Sequence, residues 1–374
     1  MALSKIDVAN MVENEMPQAN IANNINFRNI IINGGMDLAQ RGTSATTLAL
    51  SSGGFRYNDV DRFCVNAGNV SSGQVSTQQI DSGLTGFPKA KRITVTTAQA
   101  SPAANGYLAI VQGVEGQNLQ YLKYGTSDAL PLTMSFYVRS SVTGNFTGNI
   151  IQIDSRPSQN RAFPYNYTIN SANTWEKKTI SISADANGII NNDNGIAFEI
   201  NFTYLYIGSN YSNGTLNVWN SNPSANSYIN NVTRVNLLAT SGATFDITGV
   251  QLEAGTTASD FEFLPPDVNL QRCQRYFQTY TQPPLRGVIN AANSLGRAGM
   301  VLPVPMRSAP TASSGALPVF DGSSISTVSS IGVSYNTIHK VEFDLTLASS
   351  VMVVGRGGIV YQGGSETLTL SAEL

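Results

Sequence analysis

Aromatic and asparagine side chains crowd one stretch of the chain. Between residues 204 and 230 it carries Tyr204, Tyr206, Tyr211, Trp219 and Tyr228, together with asparagines that include Asn213 and Asn217. Aromatic rings offer an apolar face to the C–H groups of sugars, and amide groups can bond the hydroxyls. Binding residues often lie on loops. The segment therefore predicts a carbohydrate-binding surface of Tyr211, Trp219, Tyr228, Asn213 and Asn217. Tyr204 and Tyr206 instead fit a strand pattern, which favours a core or a subunit interface.

Residue types for nucleophilic or metal chemistry are scarce. His339 is the only histidine, and it stands in NTIHKVEF without a nucleophile motif beside it. A serine or cysteine triad would have to use it, so we expect a solvated or edge-strand histidine instead. Cys64 and Cys273 lie far apart in sequence and are expected to be buried free thiols. These residues do not make the usual histidine and cysteine metal clusters, and no cofactor loop is found.

Carboxylates leave two further possibilities open. A glycosidase needs two carboxyl groups roughly 5 to 9.5 Å apart, and the candidates Asp154, Glu176, Asp185 and Glu199 show no spacing that pairs them. We therefore predict that the protein is not an enzyme, with a polysaccharide-degrading activity as the least favoured alternative. A structural calcium is the second possibility, with Asp246, or Asp59 and Asp61, as contributing ligands.

The composition indicates short strands joined by polar turns. Charged residues make up 12% of the 374 residues, against about 25% in an average soluble protein. The 33 glycines and many asparagines suit tight turns that need positive φ angles. A net charge of −2 does not indicate the basic surface that nucleic-acid binding requires. No apolar stretch is long enough for a membrane span. Without an apolar signal core near residue 1, we expect the protein to be made and to mature in the cytosol.

Several segments alternate with a period of two, which is typical of strands. Leu132, Met134, Phe136 and Val138 share one face of LPLTMSFYVRSS. In GIAFEINFTYLYIG, the apolar face runs from Ile196 to Tyr206, and Leu205 and Ile207 fall on the opposite face. ATFDITGVQLEAG changes phase at Gly249, as a β-bulge would produce. With no long helical pattern between strands, the sequence predicts an all-β protein whose main body is a two-sheet, jelly-roll-type sandwich.

The chain divides into four predicted parts. Residues 1–26 form a docking or oligomerisation segment through Leu3, Ile6, Met11 and Val12. Residues 27–264 form the jelly-roll β-sandwich. Residues 265–284 form a connector helix, begun at Pro265-Pro266 with Asp267 as its cap and carrying the apolar stripe Leu270, Cys273, Phe277 and Tyr280. Residues 285–374 form a smaller C-terminal β domain, whose final segment alternates through Leu368, Leu370 and Ala372 to Leu374.

Five motifs, in order, resemble a known family. The first motif is NFRNIIINGGMDLAQRGTS, followed by YNDVDRF. This is similar to the opening of many phage tail-fibre and minor structural proteins. Those proteins have an Asn-Gly pair and a Gln-Arg-Gly element, followed by an Asp-Arg-Phe/Trp element. YLKYGTSDALPLTMSFYVRSSVTG, INSANTWEKKTISI, ATSGATFDITGVQLEAG and RCQRYFQTY follow, before a closing β segment that ends in SAEL. The chain departs from the pattern at Gly35 and at Ala39, where the family more often has Asp or Asn and Trp.

The resemblance implies a structural protein of the bacteriophage virion. It implies a homotrimeric tail fibre that takes part in host attachment and contacts a cell-surface glycan, joined to other tail or capsid proteins through its N-terminal segment. The apolar faces at Leu205 and Ile207 agree with a trimer interface. A capsid or tail decoration protein with a purely structural role is the alternative.

Overall fold

The computed structural model describes residues 27–101, 103–153, 160–221, 228–360 and 366–374. Within these ranges the chain forms 22 strands, one α-helix and four short 3-10 helices, so the predicted all-β class is confirmed. The docking residues Leu3, Ile6, Met11 and Val12 lie outside the described residues, as does Asp154. No described helix has the length and apolarity needed to cross a membrane.

Two antiparallel sheets form the body of the protein. The six-stranded sheet has the order β1 (Thr46–Ala49), β4 (Gln74–Leu84), β5 (Phe87–Thr97), β13 (Thr244–Ala254), β7 (Leu132–Ser140) and β10 (Glu176–Ile182). The seven-stranded sheet has the order β12 (Asn220–Ser221), β9 (Arg161–Ile169), β8 (Gly144–Gln152), β11 (Ile196–Ile207), β6 (Tyr107–Glu115), β3 (Cys64–Gly68) and β2 (Gly54–Arg56). The 3-10 helices are Leu50–Ser52, Gly116–Leu122, Ser209–Tyr211 and Leu237–Ala239.

The chain crosses repeatedly between the two sheets, which makes this a sandwich of the predicted jelly-roll type. β5 lies in the six-stranded sheet, β6 in the seven-stranded sheet and β7 in the six-stranded sheet again. The inward faces meet in one core that includes Phe136, Phe146, Phe163, Phe198 and Phe245, all at most 1% exposed. Burial of such rings is the main stabilising contribution to a sandwich of this kind.

Backbone irregularities decide which face each side chain occupies. Gly249 adopts φ 59°, and the pairing of β13 with β7 shifts between Thr248 and Gln251, which confirms the predicted bulge. β11 shifts register against β6 between Asn201 and Thr203 and again between Tyr204 and Tyr206. An extra residue at such a point moves the following side chains to the other face.

These shifts correct the predicted faces of β11. Leu205 joins the core between the sheets, whereas Tyr204 and Ile207 pack together in a smaller cluster. Leu205 is fully buried and Ile207 is 5% exposed within a single chain. Both are therefore covered by their own chain, and the expectation that they face another subunit was wrong.

The connector is shorter than the sequence suggests. The helix α1 (Pro266–Gln274) begins with Pro265 in the cap position, and Asp267 lies in its first turn without capping it. The predicted continuation of the helix through Phe277 and Tyr280 was wrong, because Phe277–Thr281 forms strand β14. Its backbone pairs with β22 (Thr367–Ser371), and this long-range partner overrides the local helical pattern.

The C-terminal part contains two further sheets. A closed barrel has the order β15 (Arg286–Ala291), β16 (Ser294–Val301), β20 (Lys340–Leu347), β19 (Ile325–Asn336), β18 (Pro318–Phe320) and β21 (Gly357–Val360). β14 and β22 form a three-stranded sheet with β17 (Thr311–Ser314). Leu295, Val341, Phe343 and Leu345 fill the barrel, which has a core of its own.

Candidate functional site

A cavity of about 280 Å³ lies beside the smaller cluster of Tyr204 and Ile207 on the seven-stranded sheet. Its walls combine aromatic, amide and aliphatic side chains with one carboxylate. The lining residues are Phe55, Asn66, Tyr107, Ile151, Ile153, Glu199, Asn201, Tyr204, Ile207, Tyr211 and Tyr228. Small-molecule sites have volumes of roughly 300–1,000 Å³, so this cavity is just below that range and suits a small ligand.

Strand β11 supplies the polar floor of the cavity. Glu199 and Asn201 are two residues apart on this central strand, so both side chains project from the same face of the sheet. Asn201 donates from Nδ2 to Glu199 Oε1 at 3.0 Å and to Asn149 Oδ1 on β8, also at 3.0 Å. These bonds hold the carboxylate and the amide in a fixed relative position.

Three tyrosine rings form the aromatic wall. The rings of Tyr211 and Tyr228 are stacked, with centroids 6.1 Å apart and planes 6° from parallel. Tyr107 meets Tyr211 edge to face at 6.1 Å. The hydroxyl of Tyr211 donates to the backbone oxygen of Asn105 at 2.8 Å, which restricts the orientation of its ring. An ordered aromatic wall of this kind can contact a flat apolar ligand face at low entropic cost.

Two polar groups in the cavity lack the partners that buried groups usually have. Burial raises the pKa of the Glu199 carboxyl, and the hydrogen bond from Asn201 lowers it only in part. Within the described residues no lysine or arginine pairs with it. Asn66 is 6% exposed, and its Oδ1 has no hydrogen-bond partner among those residues. Buried polar groups are nearly always bonded, so Asn66 Oδ1 and the half-buried carboxylate of Glu199 are groups that a ligand could bond.

The structure brings together only part of the predicted binding surface. Tyr211 and Tyr228 line the cavity, while Asn213 and Asn217 are exposed outside it. Trp219 is half-buried, packs against Phe163 and Phe198 in the core, and donates from Nε1 to Ser183 O. Trp219 was expected to be exposed, but its neighbours make it part of the packing of the sandwich.

Glu199 was named from the sequence only as a candidate glycosidase carboxylate, and Asn201, Asn66, Tyr107 and Phe55 were not predicted to bind a ligand. Glu199 and Asn201 carried a signal, since they interrupt an otherwise apolar strand, but such residues usually mark a solvated face. Asn66, Tyr107 and Phe55 lie about 90 to 145 residues before them in the sequence. They meet Glu199 and Asn201 only because β2 pairs with β3, β3 with β6 and β6 with β11.

The other predicted candidates have partners elsewhere. Asp246 pairs with Arg92 and Arg139, Asp59 with Lys91, Asp185 with Arg161, and Glu176 with Lys178. No group of three or more potential metal ligands occurs among the residues that the structure describes. Cys64 and Cys273 are buried free thiols, as predicted, and burial raises the pKa of Cys64 to about 12. His339 is exposed between β19 and β20.

The first and the last of the family-like motifs meet at one place, the joint between the sandwich and the C-terminal part. Glu373 accepts hydrogen bonds from Arg41 at 3.0 Å and from Arg62. Arg62 is fully buried, and its guanidinium lies 3.5 Å from the ring centroid of Tyr276. Gln40 donates to both carboxylate oxygens of Asp61. The Gln-Arg-Gly and Asp-Arg-Phe elements thus meet RCQRYFQTY and the closing SAEL segment in a single polar network.

Asp61 makes the stability of this joint depend on pH. Burial raises the pKa of Asp61 to about 6, against a usual value of 3.8. The folded state therefore binds the proton more tightly than the unfolded state, and this contribution to stability is lost as the pH rises through 6. We expect wild type to lose up to about 3 kcal/mol relative to Asp61→Asn between pH 4 and pH 7. Urea denaturation of both proteins across this range measures it; parallel curves would contradict the assignment.

Comparisons with known proteins give only remote matches. No protein-family model matches the chain, and no curated protein matches its sequence. A tailspike domain of bacteriophage CBA120, described as enzymatically active, covers 61% of this chain with 11% identity and a TM-score of 0.30; the match spans 22% of the tailspike chain. A family 11 carbohydrate-binding module of Clostridium thermocellum covers 58% of this chain and 98% of its own, with 13% identity and a TM-score of 0.29.

A putative sugar-binding protein from Bacteroides thetaiotaomicron covers 61% of this chain and all of its own length, with 13% identity and a TM-score of 0.28. With TM-scores of about 0.3 in all three cases, these superpositions are too loose to carry a statement about ligand, activity or family.

Proposed function

We propose that this chain is a structural protein of a bacteriophage virion, a trimeric tail fibre that contacts a glycan on the host surface through the cavity of β11. The ordered motifs from Asn33 to Glu373 support the virion assignment, because they resemble those of phage tail-fibre proteins. The first and the last of these motifs also meet at one joint, where Gln40, Arg41 and Arg62 bond the carboxylates of Asp61 and Glu373.

The observation that carries glycan binding is the composition of the cavity. Stacked tyrosines provide an apolar face, and Asn66, Glu199 and Asn201 provide polar groups beside it. Sugar recognition needs both kinds of group, because a pyranose ring has apolar C–H faces and a polar rim of hydroxyls. Predominantly apolar walls with a few placed polar groups are also the usual design of small-ligand sites.

The same cavity favours binding over hydrolysis. Glycosidases use two carboxyl groups that flank the bond to be broken. Among the described residues that line this cavity, Glu199 is the sole carboxylate. Asp185 and Glu176 are engaged in ion pairs with Arg161 and Lys178 and do not line it. The proposal therefore gives the protein no catalytic role.

The test is competition for host attachment. Purified full-length chain added to host cells should block adsorption of the phage particles that carry it. Tyr211→Ala should need about fivefold more protein for the same block, because loss of a stacked ring costs about 1 kcal/mol. Tyr335→Ala is the matched control, since Tyr335 is 51% exposed on the barrel and does not line the cavity.

Each part of the proposal can fail separately. No competition at saturating protein would contradict host binding and favour a decoration protein of the capsid or tail. If Tyr211→Ala competed as well as wild type, the cavity would not be the site that binds the host surface. Light scattering of the full-length chain at micromolar concentration tests the trimer, which a monomer would contradict.

A further inference from the structure

The floor of the cavity presents hydrogen-bond acceptors without donors to match them. Glu199 Oε1 receives one bond, from Asn201, and no bond to its Oε2 is found among the residues that the structure describes. The Oδ1 of Asn66 is buried and likewise without a partner in those ranges. Glu199 is half-buried, and a carboxylate that has lost part of its hydration is stabilised when a cation or several donors reach it. The floor is therefore suited to a ligand rich in N–H donors.

The walls favour a positively charged ligand for a separate reason. Phe55, Tyr107, Tyr204, Tyr211 and Tyr228 all line the cavity. The face of an aromatic ring carries partial negative charge and attracts cations, and cages of such rings are a known means of holding ammonium groups. The described residues that line the cavity include no lysine and no arginine. The cavity combines aromatic faces with a single net negative charge.

Glu199 and the tyrosines act on one another inside the same space. After burial, the charge of Glu199 is the next cause that raises the pKa of Tyr204 and of Tyr228, and it also contributes at Tyr107. These tyrosines remain neutral donors or acceptors, and the carboxylate is the one group there that a bound cation would stabilise. Neutral sugars would leave that charge without compensation.

We propose that the cavity binds a saccharide carrying a free, protonated amine, such as a hexosamine residue that lacks its N-acetyl group. This inference rests on the proposed glycan-binding function and specifies its ligand class. The ammonium group donates to the open oxygen of Glu199 and to Asn66 Oδ1, and the sugar ring packs on the stack of Tyr211 and Tyr228. N-acetylation removes the charge and two donors, so it abolishes the match with the floor.

The experiment compares free and N-acetylated forms of the same sugars. Fluorescently labelled full-length protein is applied to paired oligosaccharides of glucosamine, galactosamine and mannosamine, each with and without N-acetyl groups. Wild type should bind at least one free-amine member about tenfold or more tightly than its acetylated partner, because hydrogen bonds to charged groups are stronger than those between neutral groups. Glu199→Gln should remove this preference. Glu366→Gln is the matched control, since Glu366 is exposed and does not line the cavity.

The outcomes separate the two proposals. Equal binding of both forms by wild type would overturn the amine preference while leaving glycan binding intact. Binding to none of the sugars would overturn the amine proposal and count against glycan recognition by the cavity. A preference that persists in Glu199→Gln, or that Glu366→Gln also loses, would show a non-specific charge effect and reject the site. The wild-type comparison stands by itself if Glu199→Gln fails to fold.

Discussion

Replacing Arg62 with alanine is expected to lower the free energy of unfolding by about 3–5 kcal/mol, a large part of the stability of an ordinary domain. Arg62 is fully buried, bonds Glu373, donates to Gly113 O at 2.8 Å and stacks on Tyr276. Its loss leaves the carboxylate of Glu373, 8% exposed, without its closer partner and opens a gap under the ring. Urea denaturation followed by far-ultraviolet circular dichroism measures the change.

Two further variants test whether the loss of stability comes from the pair of Arg62 and Glu373. Arg286→Ala removes an exposed arginine and should change stability by less than about 0.5 kcal/mol. Glu373→Gln combined with Arg62→Ala should recover part of the loss, because the unpaired charge is then absent. If Arg62→Ala cost less than 1 kcal/mol, the joint would not be a source of stability.

Replacing Lys91 with methionine is expected to cost a similar amount, about 3–5 kcal/mol. Lys91 and Asp59 are both 0% exposed and form an ion pair inside the sandwich. Lys91 also donates to Thr77 Oγ1 at 2.9 Å, and that hydroxyl donates to Asp59 Oδ2 at 2.7 Å. Methionine keeps most of the volume but leaves the Asp59 charge buried without a cation. Thermal and urea denaturation measure the loss.

A neighbouring lysine provides the matched control. Lys89 lies two residues earlier on β5 and pairs with Asp81, whose side chain is 88% exposed. Lys89→Met should cost less than about 1 kcal/mol, because surface ion pairs contribute little. Asp59→Asn added to Lys91→Met should be less harmful than Lys91→Met alone. Equal losses for Lys89→Met and Lys91→Met would contradict the assigned importance of the buried pair.

Much of the sandwich could be predicted, because its strands carry a local signal. The alternation in LPLTMSFYVRSS corresponds to β7, and the phase change at Gly249 corresponds to a bulge in β13. Periodicity reports which side chains share a face, and a glycine at a phase change reports where the backbone must bend. Each signal is contained within a stretch of about ten residues.

Elements fixed by distant partners could not be predicted in this way. The spacing of Leu270, Cys273, Phe277 and Tyr280 fits a helix, but Phe277 and Tyr280 belong to β14 because β22 pairs with them. The bulges of β11 likewise arise from its pairing with β6 and β8, and they place Tyr204 in the cavity and Leu205 in the core. The sequence of a short segment carries no information about such distant partners.

For the same reason, only part of the candidate site could be predicted. Tyr211 and Tyr228 stand in the aromatic, asparagine-rich segment that drew attention, and both line the cavity. Glu199 was one of several carboxylates without a pairing signal in the sequence, and only the folded sheet shows it beside Asn66 and the tyrosines. Trp219 matched the composition of a binding loop, yet its position against Phe163 and Phe198 is a matter of tertiary packing.

The pairing of Arg62 with Glu373 also constrains the order of events during synthesis. The two residues are 311 positions apart, so the ribosome must complete at least 373 residues before Arg62 meets its carboxylate. Contacts of such long sequence separation slow folding, because a large loop must close before they form. A nascent sandwich would expose Arg41 and Arg62 without their partner and remain open to chaperones until the closing segment arrives. The joint can therefore form only after the whole chain between these residues has been made.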